Sequence, residues 1–177
     1  ILISCYTYGQ TEIGGVSLPA TLKVKENTLN LNGGGIREKL WFDLYVGGLY
    51  LSKKSSDAQQ IIEANDPMAI YMEIVSTLIT SEKMIAAVEE GFEKSTKGNT
   101  KALKEKIEAF TKAFSEPIKE NDSYTIAYSS SEEVSVSKNG KHITSIKGLA
   151  FKKALFGIWL CDEPADEDLK QGMLGLD

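Results

Sequence analysis

The sequence predicts an α+β domain in which a layer of helices packs on one face of an antiparallel β-sheet. Strand-type alternation is concentrated in two groups, residues 18–51 and 123–146, whereas residues 80–114 carry helix-type spacing. Between two alternating runs of the second group, Asn139-Gly140 predicts a tight hairpin, which joins antiparallel strands. With 177 residues, 42% of them hydrophobic, the chain is long enough for one well-packed core.

The N-terminal group is predicted to supply three strands. Residues 18–24 alternate as an opening strand, and a turn leads to a second strand at residues 28–31. The glycine run of residues 32–35 predicts a sharp break, and because it fits no nucleotide-loop pattern we interpret it as a tight turn or a close backbone contact. The apolar run of residues 40–51 predicts a long central strand covered on both faces.

A short helix and another strand follow. Ser56 and Gln59 form a capping box, which predicts a helix that ends at Asn65. Residues 68–75 alternate again and predict a strand.

Two helices are predicted in the middle of the chain, separated by Gly98. Thr80 can cap the first, and Thr100 can begin the second. The first has its apolar positions at Met84, Ile85, Val88 and Phe92. In the second, apolar residues recur four, three and four positions apart and share one stripe, at Leu103, Ile107, Phe110 and Phe114. After the C-terminal strands, residues 149–160 predict a further helix, and Asp166 caps a last short one before Gly175.

Composition excludes several classes of function. The net charge of -5 and the dispersed lysines argue against a nucleic-acid partner, and no run of 18 apolar residues exists to form a transmembrane helix. Cys5 and Cys161 lack CxxC partners, which excludes a disulfide framework or a structural zinc site. His142 is the only histidine and is expected at an exposed strand position. We therefore predict no metal ion and no cofactor.

The first ten residues admit three interpretations. Their apolar start is typical of the end of an export signal that would be cleaved after Gln10. Alternatively, Leu2-Ile3-Ser4-Cys5 resembles a bacterial lipoprotein box, with lipid attached at Cys5. The third interpretation is an ordinary N-terminal edge strand. On the first two interpretations, the protein is exported, and it is periplasmic or anchored to a membrane through Cys5. Residues 11–177 are then predicted to form a single domain.

Arg37 is the leading candidate for a binding residue, since it is the only arginine among 20 basic residues. Its planar guanidinium can grip a carboxylate or phosphate through two hydrogen bonds, which lysine cannot. Trp41 and Tyr45 share its strand parity. On an unbroken strand Arg37 and Tyr45 would lie about 26 Å apart, so they can hold one ligand only if the chain turns between them. Tyr45 could equally be a core tyrosine whose hydroxyl is satisfied internally.

Two segments resemble a known family. Residues 31–37, Leu-Asn-Gly-Gly-Gly-Ile-Arg, and residues 45–51, Tyr-Val-Gly-Gly-Leu-Tyr-Leu, resemble the signature of the chalcone isomerase-like superfamily. This superfamily includes plant chalcone isomerases, plastid fatty-acid-binding proteins and a bacterial branch, which residues 151–174 resemble in particular. The similarity runs over almost all of residues 14–175 and implies the chalcone isomerase-like fold.

The resemblance implies a binding site at Arg37 and Tyr45. In that family the arginine after the glycines faces a cleft between the sheet and the helices. The true isomerases use it to hold a flavonoid oxygen near a threonine of the following strand. In the fatty-acid binders a tyrosine takes the threonine's place, and arginine and tyrosine clamp a carboxylate. The matching position here is Tyr45, which favours the binder.

The resemblance also implies that chalcone cyclisation is not the activity. The plant enzymes have a catalytic tyrosine before a Ser-Glu-Lys and an asparagine one turn later, whereas this chain has Thr80 and Ala87 around its Ser-Glu-Lys. We therefore expect non-catalytic binding of a fatty acid or similar amphipathic carboxylate, in a pocket of several hundred Å³. The alternative is an isomerase of a flavonoid-like substrate, in which Arg37 stabilises an oxyanion and Tyr45 or Thr80 places the proton. A third possibility is an interaction protein whose cleft has closed.

Overall fold

The computed structural model describes residues 9–176, which form one sheet, a small hairpin and a helical layer. The hairpin pairs β1 (Thr11–Ile13) with β2 (Val16–Leu18). The sheet has seven antiparallel strands, whose spatial order follows the chain. They are β3 (Thr21–Val24), β4 (Asn27–Lys39), β5 (Phe42–Leu51), β6 (Met68–Ile74), β7 (Ser123–Ser129), β8 (Glu133–Lys138) and β9 (Lys141–Lys147).

Helices cover one face of this sheet. They are α1 (Ala58–Glu63), α2 (Ser81–Ser95), α3 (Lys104–Thr111), α4 (Leu149–Leu160) and α5 (Glu167–Leu174). The main core lies between them and the sheet, and a smaller cluster on the other face packs Val16 and Leu18 against Val46. The predicted α+β class, with an antiparallel sheet and helices on one face, is confirmed.

The predicted break at residues 32–35 is wrong, because β4 continues through the glycines. What the glycines provide is close contact with α5. A Cβ atom on Gly33 would lie 2.1 Å from the carbonyl oxygen of Gly172, and one on Gly35 would lie 3.3 Å from the Cα of Leu169. The alternative interpretation, a close backbone contact, is therefore the correct one.

The chain turns instead at Leu40 and Trp41, which were predicted to begin the central strand. Both have positive φ, 51° and 69°, and β5 begins only at Phe42. The turn folds β5 back on β4, so that Lys39 pairs with Phe42.

Most local signals of helix and turn are confirmed. Thr80 caps α2 by accepting a hydrogen bond from the Lys83 amide, and Asp166 caps α5 in the same way. The Asn139-Gly140 turn joins β8 to β9. Two boundaries shift: Asp57 replaces Ser56 as the cap of α1, and a 3₁₀ turn, Lys101–Leu103, precedes α3.

The predictions for the N-terminus fall largely on residues 1–8, including Cys5, which lie outside the described residues. Of the helices that the structure describes, none is long and apolar enough to span a membrane. Within residues 9–176, no group of three or more His, Cys, Asp or Glu side chains is arranged to hold a metal ion.

Candidate functional site

Arg37 and Tyr45 are directly paired across the β4–β5 hairpin. Both point to the helical side of the sheet, because Gly47 and Leu49, which share the parity of Tyr45, pack against the helices. The hairpin turn thus brings together the two residues that sequence reasoning singled out.

The two side chains lie at one end of a cavity of about 80 Å³ between the sheet and the helices. Its inner wall is apolar and comes from the sheet, from α2 and α3 and from α4, through Met72, Ile126, Met84, Val88, Phe110 and Ile158. Its outer end is polar, where Lys39, Glu90 and Lys94 join Arg37. The cavity is therefore amphipathic, with charge at the solvent end only.

Arg37 is held by the cap of α5. Its Nη1 atom lies 3.2 Å from Oδ2 of Asp166 and 3.1 Å from the carbonyl oxygen of Glu38. The Asp166 carboxylate also accepts hydrogen bonds from the amides of Glu38 and Leu169, at 3.2 and 2.9 Å. Within residues 9–176, the Nε and Nη2 atoms of Arg37 have no acceptor at hydrogen-bond distance. The guanidinium is thus fixed on one side and keeps donors for a ligand.

Tyr45 is held by α4. The indole Nε1 of Trp159 donates a hydrogen bond to the Tyr45 hydroxyl at 3.0 Å, and both side chains are buried. Among the described residues the tyrosine proton itself has no acceptor. Burial raises the pKa of Tyr45, although Trp159 and the charge of Arg37 oppose the shift. At neutral pH the hydroxyl is therefore protonated and available as a donor.

The third predicted residue, Thr80, does not share this cavity. Its side chain is exposed and caps α2, and it is not among the residues that line the cavity. The structure thus joins Arg37 to Tyr45 and leaves Thr80 apart.

Two partners of the site were missed by sequence reasoning. Asp166 was predicted as a helix cap but not as the partner of Arg37, and Trp159 was placed only within the helix predicted at residues 149–160. Each contact joins residues more than a hundred positions apart, so no local spacing could have revealed it.

This geometry defines a class of proteins: α+β domains with an amphipathic cleft between an antiparallel sheet and its helices, and an arginine and a tyrosine at the polar end. A family model described as chalcone isomerase-like matches residues 10–175. The chain therefore belongs to the chalcone isomerase-like family.

A solved structure shows the same fold. The crystal structure of a fatty-acid binding protein from Arabidopsis thaliana has a TM-score of 0.71 and 20% sequence identity, over 90% of this chain and 92% of the plant chain. A search of curated protein sequences finds no match.

Proposed function

We propose that this protein binds a fatty acid or a similar amphipathic carboxylate without converting it. The observation that carries the proposal is the pairing of Arg37 with Tyr45 at the polar end of an otherwise apolar cavity. The similar Arabidopsis structure, a fatty-acid binding protein by its title, supports the same class of ligand. Residues 151–174 support the finer proposal that the chain belongs to the bacterial branch of the family.

The headgroup would be held by two kinds of donor. A ligand carboxylate would accept hydrogen bonds from the unused N–H groups of Arg37 and from the O–H of Tyr45. Hydrogen bonds that involve a charged group are about twice as strong as those between neutral groups. Asp166 already offsets the charge of the guanidinium. The arrangement thus favours a single carboxylate over a doubly charged phosphate.

The acyl chain would be held by burial alone, which contributes about 0.8 kcal/mol for each CH₂ group. Here the structure corrects an expectation, because the cavity has about 80 Å³ instead of several hundred. Met72 and Met84 on its walls fill part of the space. Methionine has three flexible torsions, so we propose that these two side chains change rotamer to admit the chain.

Native mass spectrometry tests this proposal. The protein is incubated with a mixture of saturated fatty acids of different lengths, and bound ligand is then identified in a denaturing organic extract. We expect the wild-type protein to retain one fatty acid and Arg37→Ala to lose it. Lys25→Ala is the matched control, since Lys25 also pairs with a carboxylate, that of Glu133 at 3.5 Å, but is not among the residues that line the cavity.

Two results would contradict the proposal. If the wild-type protein retained no fatty acid, the proposed binding function would be wrong. Turnover of a chalcone that disappears in Arg37→Ala would show the isomerase instead.

We also propose that the protein works outside the cytoplasm, on the evidence of its first ten residues alone. The intact mass of the protein from its source distinguishes cleavage after Gln10, lipid on Cys5 and an unprocessed chain. An unprocessed chain would contradict export.

A further inference from the structure

The tip of the β4–β5 hairpin carries three consecutive large apolar side chains in solvent. Leu40 is 76% exposed, Trp41 91% and Phe42 56%. Charged residues flank them on both strands, namely Glu38 and Lys39 before the tip and Asp43 after it, all exposed. None of the three apolar residues belongs to a core cluster within the described part of the chain.

The backbone at this tip is poorly suited to the residues it carries. Leu40 and Trp41 both lie in the left-handed region, with φ of 51° and 69°. The β8–β9 turn has almost the same angles, 51° and 77°, at Asn139 and Gly140, the pair that such two-residue turns favour. Bulky side chains at positive φ are strained, and these two gain no burial in return. Folding alone therefore does not explain them, and strain of this kind is characteristic of functional positions.

We propose that residues 40–42, the apolar tip, insert into the interfacial region of a lipid bilayer. Tryptophan is enriched at that depth, because its ring is apolar and its indole N–H is polar. The flanking residues Glu38, Lys39 and Asp43 would then lie at the level of the headgroups. Asp166 offsets the charge of Arg37, so the flanking residues leave one net negative charge beside the tip, which fits a zwitterionic surface and not a strongly anionic one.

The size and shape of the tip favour a bilayer over a protein partner. Three such side chains can bury on the order of 400–500 Å², whereas a specific protein interface needs about 800 Å² from each partner. A protruding turn offers no flat or concave surface to complement another protein. A bilayer interface is soft and needs no matching shape.

The position of the tip connects membrane contact with the cavity. Arg37 and Lys39, just before the tip, line the polar end of the cavity. Insertion would therefore hold that end at headgroup depth, where the carboxylates of membrane-bound amphiphiles lie. Attachment to the bilayer does not depend on the proposed fatty-acid binding, because it uses other side chains.

The test is flotation with phosphatidylcholine vesicles, using the wild-type protein and the double variant Leu40→Asn/Trp41→Gly. This variant installs the pair that the β8–β9 turn already uses, so it should fold with stability equal to or above that of the wild type. We expect wild-type protein to float with the vesicles and the variant to show a bound-to-free ratio at least about tenfold lower. Ile143→Thr is the control, because Ile143 is also exposed but lies on β9, and it should bind like the wild type.

Tryptophan fluorescence gives an independent readout. The chain has two tryptophans, and Trp159 is buried, so a blue shift on adding vesicles reports Trp41. Arg37→Ala should float like the wild type even if it no longer holds a fatty acid, which keeps this test separate from that of the cavity.

Three outcomes would overturn the proposal. The wild-type protein could remain free of vesicles, or the double variant could bind as well as the wild type. The third is self-association in solution that the double variant abolishes, which would identify a second copy of the chain as the partner of the tip.

Discussion

Arg37 on β4 and Tyr45 on β5 face each other in register across one hairpin, on the side of the sheet that the helices cover. Paired residues in antiparallel strands have Cα atoms about 5 Å apart, whereas an extended chain would separate them by about 26 Å. The turn at Leu40 and Trp41 therefore creates the candidate site. Asp166 and Trp159 then fix the two side chains from α5 and α4.

The first prediction concerns the hydrogen bond between Trp159 and Tyr45. Among the described residues, Tyr45 is the only acceptor of the buried Trp159 indole N–H. We therefore expect Tyr45→Phe to lower the free energy of unfolding by about 1–2 kcal/mol. In a double-mutant cycle with Trp159→Phe, measured by chemical denaturation, the coupling between the two sites should be about 1 kcal/mol. Strictly additive effects would show that the hydrogen bond contributes nothing.

The second prediction concerns the Arg37–Asp166 ion pair. Both side chains keep some solvent exposure, and Asp166 retains its two amide donors without Arg37. We therefore expect Arg37→Ala to cost only about 1 kcal/mol of unfolding free energy. A loss of several kcal/mol would mean that the arginine is mainly structural.

Two variants of Asp166 test its role as the cap of α5. Asparagine caps helices as well as aspartate does, so Asp166→Asn should be more stable than Asp166→Ala by about 1 kcal/mol in urea denaturation. Equal stability of the two variants would show that capping by this side chain is unimportant.

The third prediction concerns Lys152, which is fully buried within α4. Its Nζ atom donates to three carbonyl oxygens at the end of α1, those of Ile61 and Ile62 at 2.8 Å and of Ala64 at 2.6 Å. Lys152→Met leaves these acceptors without a donor, and we expect a loss of about 2–4 kcal/mol in denaturant unfolding.

The neighbouring lysine is the control. Lys153 pairs with Glu63 at the surface, so Lys153→Met should cost at most about 1 kcal/mol. If both variants were equally stable, α1 would not depend on the buried lysine.

The fourth prediction is a loss of stability at alkaline pH. Burial raises the pKa of Tyr71 to about 12, and it raises the pKa of Tyr45 as well. Unfolded tyrosines ionise near pH 10, so above that pH the native state holds more protons than the unfolded state. The free energy of unfolding should therefore fall between about pH 10 and 12.

Denaturant titrations at several pH values measure this fall, and tyrosinate absorbance follows the ionisation. In Tyr71→Phe the free energy of unfolding should fall less steeply with pH than in the wild type. A stability that is constant or rises through this window would contradict the direction of the shifts.

Local patterns in the sequence predict most of the elements, because capping and turn signals depend on neighbouring residues. Thr80, Asp166 and the Asn139-Gly140 turn are examples. The glycines of β4 left two interpretations open, a tight turn or a close backbone contact, because the close packing of α5 that requires glycine is invisible in the segment itself. The same limit applies to Lys152, whose partners lie about ninety residues away.

The candidate site was also predictable only in part, because local patterns identify residues but not how they pack. The uniqueness of Arg37 and the family motif identified the pair with Tyr45, whereas the turn that joins them has residues that no turn signal predicts. The volume of the cavity depends on how side chains pack between sheet and helices, which periodicity does not determine.

The most direct test of the carboxylate site compares a fatty acid with the fatty alcohol of the same length. Calorimetric titration of the wild-type protein should give an affinity at least about tenfold higher for the acid, because only the acid offers a charged acceptor to Arg37. Arg37→Ala should remove this preference while leaving binding of the alcohol unchanged. Equal affinities for acid and alcohol in the wild type, or a preference that persists in Arg37→Ala, would contradict a carboxylate site at Arg37 and Tyr45.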